Sequence, residues 1–185
     1  MTRCGWCSAD PVYQQYHDTE WGVPERDAQR LFEKLLLDGF QAGLAWITIL
    51  KKRDHYRRVY HDFDPEFMAG QSDAQLQELL QDPGIIRNRL KVYGARQNAR
   101  AWLRLAEQED PGAWLWAFVD GQPLINHFAS LQEVPAITAE AQAMSKALRA
   151  EGFTFVGPTI CYAFMQATGM VMDHTRDCFR YAQLS

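Results

Sequence analysis

What this chain lacks narrows it first. No apolar run approaches the roughly 20 residues needed to cross a bilayer, so no membrane span is expected. The opening Met1-Thr2-Arg3-Cys4-Gly5-Trp6 carries no apolar core of the kind a signal peptide needs, and a cytoplasmic location is the expectation. Cysteine is scarce: Cys4, Cys7, Cys161 and Cys178 are the only four. In a cytosolic protein these are expected as thiols or metal ligands rather than disulfides. Alternating apolar and polar positions are nearly absent, and there is no repeat or low-complexity stretch, so the expected fold class is all-α.

What is present fits one globular domain over residues 1–185. At 47% hydrophobic residues the chain can bury a core, which excludes disorder. The net charge of −4 hides a segregation. Lys51 to Arg58 holds five Lys and Arg, and Gly84 to Arg104 holds six with no acid, so eleven of the 19 fall in two stretches. On a mildly acidic protein this is the footprint expected of a nucleic-acid face.

The centre of the chain is Leu37-Asp38-Gly39-Phe40-Gln41-Ala42-Gly43-Leu44-Ala45-Trp46. Leu31, Phe32, Leu35, Leu36 and Phe40 share one face of a helix capped by Asp27. A second helix is expected from about Leu44 to Tyr60, with a glycine corner between, so that Asp38 and Trp46 face one space. Residues 1–26, rich in aromatics and fitting no helical period, read as an irregular arm. Further on, Asp64-Pro65 opens a short segment, Ser72 caps another, and a long basic helix is expected from Asn88 to Gln108. Pro111 starts an aromatic helix, Thr138 caps one that Gly152 ends, and Gly157-Pro158 begins a last one that closes near Gly169.

Two clusters of soft ligands lie at opposite ends: Cys4, Cys7 and His17, then His174 and Cys178. The last two, four apart, share a face if their segment is helical. Two Cys and two His make a closed tetrahedral zinc set. Because Cys4 and Cys7 have the C-x-x-C spacing, Cys4, Cys7, His174 and Cys178 form a rival quartet. A thioredoxin-like use is disfavoured, since no βαβ pattern surrounds the pair. The stretch 82–91 reads as a helix-hairpin-helix element, in which the amides around Gly84, Ile85 and Ile86 and the start of the helix carrying Arg87, Arg89 and Lys91 would hold a DNA phosphate.

With these pieces placed, the chain resembles the 3-methyladenine DNA glycosylase I family over nearly its whole length. Carrying the resemblance are Arg3-Cys4-Gly5-Trp6, Tyr16-His17-Asp18, Glu20-Trp21-Gly22-Val23-Pro24, Gln41 to Thr48, Gly84 to Arg87, Phe155-Val156-Gly157, Ile160-Cys161-Tyr162 and Asp173-His174. The resemblance implies a helix-hairpin-helix glycosylase fold and a monofunctional enzyme that flips 3-methyladenine out of double-stranded alkylated DNA and hydrolyses its N-glycosidic bond. It implies one structural zinc held by Cys4, His17, His174 and Cys178, joining the two ends, with Cys7 outside the set. Around the flipped base it implies Trp6, Tyr13, Tyr16, Trp21, position 38 and Trp46. Of these Asp38, Tyr16 and Trp46 are the candidate catalytic residues, and Leu44, beside Gly43, is the candidate wedge into the vacated stack. The family pattern has glutamate where this chain has Asp38, and serine where it has Ala45. Many related glycosylases place an aspartate beyond the hairpin to stabilise the sugar cation, and Ile85 to Arg104 offers none. The partner expected is duplex DNA, with the protein a monomer. A non-catalytic damage-binding protein on the same fold is the alternative, and a zinc-scaffolded protein with no DNA role is the plainest one.

Overall fold

Aspartate, serine, threonine and proline at segment starts decide where the helices begin. The computed structural model describes residues 1–185. Asp10 caps α1 (Pro11–Thr19) by accepting from Val12 N, and Asp27 caps α2 (Ala28–Gln41) by accepting from Arg30 N. Two short helices follow, α3 (Trp46–Leu50) and α4 (Arg53–Val59), then α5 (Pro65–Gly70) behind the Asp64 cap. Ser72 and Gln75 form a reciprocal capping box on α6 (Asp73–Leu79). Asn88 caps α7 (Arg89–Ala106), Asp110 caps α8 (Pro111–Trp116) and Thr138 caps α9 (Ala139–Ala150). Each such cap stabilises its helix by about 1 kcal/mol. The chain ends through α10 (Pro158–Ala167) and α11 (Tyr181–Leu184). A two-residue parallel bridge joins β1 (Leu124–Ile125) to β2 (Val171–Met172), and it is the whole of the β structure. No helix is long and apolar enough to cross a membrane.

The α2 stripe is fully buried, with Leu31, Phe32, Leu35, Leu36 and Phe40 all inside a main cluster of 32 buried residues. Helix α10 packs against both α2 and α9, and α7 packs on α5 and α2. A second, smaller cluster gathers Cys4, Tyr16, Trp21, Leu50 and Cys178, with Trp6, Tyr13 and Trp46 against it.

Three expectations are corrected. The arm 1–26 is not wholly irregular, since Pro11–Thr19 is helical; its aromatics serve the cavity and the smaller cluster rather than the main core, so no apolar period marks it. The single helix expected over residues 44–60 is two, broken at Lys51-Lys52, where Lys52 Nζ reaches the carbonyls of Pro83 and Gly84. His174 follows β2 in irregular chain and Cys178 lies on a bend beyond the turn at Arg176-Asp177, so the pair does not share a helix face.

Candidate active site and metal-ligand cluster

Helix α2 delivers Asp38 one turn before its end, and the glycine corner returns the chain so that Trp46 opens α3 on the same side. Gly43 takes φ 78°, a left-handed value glycine adopts without strain. Asp38 and Trp46 line one cavity of about 350 Å³ together with Trp6, Tyr13, Tyr16 and Trp21, all six positions expected there. The opposite wall comes from Thr159, Tyr162, Ala163 and Gln166 of α10, from Asp173, and from the segment Leu131 to Ala136. Asp173 accepts hydrogen bonds from Asn126, Gln166 and the Tyr162 hydroxyl, which fixes that wall.

The aromatics hold each other in tilted and edge-on pairs: Trp6 lies 5.1 Å from Tyr13 and 5.0 Å from Trp21, and Tyr16 lies 5.4 Å from Trp46, centroid to centroid. Trp6 Nε1, Trp46 Nε1 and Asp38 Oδ2 are buried without a hydrogen-bond partner. Such atoms are costly to leave unpaired, and three around one cavity mark a place built to receive a polar ligand.

Asp38 is not a solvated helix-end carboxylate; only 2% of it is exposed. Burial pushes its pKa up, and the Lys34 ammonium, 2.8 Å from Oδ1, works against that rise. Burial and then the Asp38 charge push the Tyr16 phenol well above its usual range, so it stays a donor. Lys34 escaped the sequence reading. Its ammonium lies 3.5 Å from the Trp46 ring centroid inside the cavity. The available signal was the i, i+4 spacing to Asp38, which ordinarily denotes a surface ion pair.

At the two chain ends Cys4, His17, His174 and Cys178 converge, all four buried, with their ligand atoms within 4.8 Å of one another. Sγ of Cys4 is 3.3 Å from His174 Nδ1, and Sγ of Cys178 is 3.4 Å from both His174 Nδ1 and His17 Nε2. A tetrahedral ion with bonds of ~2.0–2.3 Å sets its ligands ~3.3–3.8 Å apart, so the spacing fits. The other ring nitrogens are engaged: His17 Nδ1 donates to Asp18, which Arg3 grips through two hydrogen bonds, and His174 Nε2 donates to the Trp21 carbonyl. This turns His174 Nδ1 and His17 Nε2 inward as the unprotonated nitrogens, and the Cys4 N–H donates to His17 Nε2 at 3.2 Å. Burial drives the Cys4 thiol up to about 12 and His174 down to about 4, the direction expected of apolar surroundings without a cation. Cys7 is half-exposed and donates to the Ser8 carbonyl, outside the cluster, so the rival quartet is not assembled.

The hairpin element is present as α6, a turn and α7, but its chemistry is narrower than expected. The amides of Gly84, Ile85, Ile86 and Asn88 already donate to Asp82 Oδ1, the Asp82 carbonyl, the Tyr56 hydroxyl and the Ile86 carbonyl. Gly84 is required because a Cβ there would sit 2.3 Å from the His55 ring. Ile85 is buried. Lys91 is corrected outright: it is buried, and Nζ donates to the carbonyls of Phe40 and Ala42, fastening α7 to the glycine corner. Most of the basic runs are spent likewise, with Arg53 on Glu20, Arg57 on Glu33, Arg96 on Asp73, and Arg100 and Arg104 on carbonyls. Arg87 and Arg89 stay exposed beside Leu90, which is 73% exposed. Leu44 is no core leucine: it projects 39% exposed from the corner.

The comparisons with known proteins agree with this geometry. The methyladenine glycosylase family profile matches residues 6–181. The chain is 50% identical over 182 residues to DNA-3-methyladenine glycosylase 1 of Escherichia coli (strain K12), covering 98% of this chain and 97% of that protein. A crystal structure of a 3-methyladenine DNA glycosylase I superposes with a TM-score of 0.95 at 51% identity, over 96% of this chain and 98% of the other. A structure from Staphylococcus aureus, solved for the basis of 3-methyladenine recognition, superposes with a TM-score of 0.94 at 33% identity, over 97% and 96%. With both its length and its fold accounted for, this chain belongs to the methyladenine glycosylase family.

Proposed function

We propose that this protein is a monofunctional DNA glycosylase that removes 3-methyladenine from alkylated duplex DNA, acting as a cytoplasmic monomer with residues 1–185 as one unit. The observation that carries the reading is the cavity. Its Trp46 face and its buried carboxylate, Asp38, form a receptor for a flat, positively charged ring. Relatives carry the matching names: DNA-3-methyladenine glycosylase in E. coli and in Haemophilus influenzae.

Methylation at N3 leaves the adenine ring positive and weakens its bond to deoxyribose. The base leaves the stack, Leu44 fills the gap, and Arg87 and Arg89 neutralise backbone phosphates. In the cavity the base stacks on Trp46, Asp38 accepts from its edge, and Tyr16 donates. The C1′–N9 bond breaks, its electron pair passes to the ring, and water adds to C1′ and gives up one proton to solvent. Leaving-group protonation is little needed, so recognition does most of the selection. The stretch Ile85 to Arg104 carries no carboxylate to stabilise the sugar cation. Cys4, His17, His174 and Cys178 would hold one zinc ion, whose closed ligand set supplies a structural tie between the arm and the C-terminal turns.

The test is base release from N-methylated duplex DNA, resolved by chromatography against untreated DNA. Release of 3-methyladenine while 7-methylguanine stays bound is expected; no release by a folded, metal-loaded preparation overturns the reading. A non-catalytic damage binder is favoured by one observation, the Lys34 ammonium already covering Asp38. Retention of methylated DNA without release selects it.

A further inference from the structure

The cavity holds a cation of its own. Lys34 Nζ lies 2.8 Å from Asp38 Oδ1 and 3.5 Å from the centroid of the Trp46 ring, with the Tyr16 ring centroid 5.6 Å away. These are the two groups on which recognition of a positive purine depends. A ring stacked on an indole lies ~3.5–4 Å from it, which is the layer the ammonium occupies. Base and ammonium cannot share that face. Lys34 has an alternative place, since its side chain also lines an adjoining polar cavity of about 500 Å³, where it would join the Arg53–Glu20 and Arg57–Glu33 ion pairs.

We infer that Lys34 is a specificity-determining residue acting by charge exchange: it fills the cation site of the free enzyme, yields to the cationic base of damaged DNA, and returns once that base is neutral. The inference rests on the glycosylase reading above. Heterolysis of the C1′–N9 bond returns an electron pair to the ring, so the substrate base is positive and the released base is not. A positive ring replaces the ammonium like for like. A neutral ring, whether undamaged adenine or the product, displaces it and leaves Asp38 buried without a counter-ion. Lys34 therefore selects against the undamaged base on entry and against the product on exit.

Because burial lowers the Lys34 pKa while the Asp38 charge holds it up, the experiment titrates free 3-methyladenine into the full-length protein at neutral rather than alkaline pH, following quenching of the cavity tryptophans. Lys34→Met, which removes the charge and keeps the length, is expected to bind the free base about tenfold tighter than wild type, the penalty lifted if Lys34 fills the site about nine-tenths of the time. Lys34→Arg should stay near wild type. If Lys34→Met does not fold, Lys34→Gln, which leaves Asp38 a hydrogen-bond donor, carries the same expectation. Equal or weaker binding by the uncharged variant, or no binding by any of the proteins, overturns the inference. Base release by wild type from methylated DNA is measured alongside. Its absence removes both readings, whereas release with unchanged affinity in the variant removes charge exchange alone.

Discussion

The two apolar clusters of this molecule are held together in different ways, and the cavity lies between them. The larger one is made by helices whose apolar residues recur every three or four positions, as in the Leu31 to Phe40 stripe. The smaller one draws Cys4, Tyr16, Trp21, Leu50 and Cys178 from turns and short helices with no common period. Its coherence comes from directed contacts: four ligand atoms, Arg3 on Asp18, and tilted aromatic pairs. Asp38 and Lys34 belong to the first construction, and Trp6, Tyr13, Tyr16 and Trp21 to the second. The acid is thus fixed by hydrophobic burial, and the aromatic wall by the Cys–His cluster and the hydrogen bonds around it. The two can be disturbed separately.

Phe32→Ala strikes the larger construction. Phe32 is fully buried against Trp102, and its truncation should cost about 3–5 kcal/mol, read as a lower midpoint in urea with both clusters lost together. Cys178→Ala strikes the smaller one. Bound metal should fall below stoichiometric and amide exchange should rise through residues 1–24, while the far-UV helical signal persists; if the arm stays protected, the division between the clusters is wrong. Asp38→Asn leaves both constructions standing and removes the charge between them. Loss of a charged hydrogen bond worth about 1.5–3 kcal/mol should slow base release roughly 10- to 100-fold while the far-UV helical signal is retained.

A smaller effect is expected at the hairpin turn. His55 first, then the Gly84 N–H, holds the Asp82 carboxyl below its usual range. The folded pKa lies below the unfolded one, so its contribution is complete above the ordinary carboxylate pKa and disappears as pH falls through the folded value. Asp82→Ala should therefore lose about 1 kcal/mol at neutral pH, and its melting curve should approach that of wild type in acid. Cys7→Ser should change nothing in metal content, since Cys7 lies outside the ligand cluster; a loss of metal there would reinstate the rival quartet.

Much of this was legible in the chain because local signals and burial agree. Asp27, Asp64, Ser72 and Thr138 announce helix starts and make those caps, and the Phe40 stripe is core. The six cavity positions followed from family resemblance, and periodicity alone would have yielded only Asp38 and Trp46. What stayed hidden lies in side-chain destinations. Asp10-Pro11 carries the same start signal as Asp64-Pro65, yet α1 went unseen because its aromatics serve a cavity. The basic runs read as a nucleic-acid face, although most of their side chains go to carboxylates and carbonyls across the fold. Lys91 and Lys34 are ordinary helix lysines by spacing, and only the packed structure shows one on the corner carbonyls and the other on Trp46.

The ligand cluster also imposes an order of events on the growing chain. Cys4 and Cys178 are separated by nearly the whole sequence, so their loop is among the longest closures the fold makes and its entropy cannot be recovered early. The α2, α7 and α10 core can form as the chain emerges, because its partners are made by residue 167. The arm must wait, tethered at one end, until Cys178 leaves the ribosome. The aromatic wall of the cavity is then the last part to assemble, and a chain interrupted before that point has a helical body but no receptor for the base.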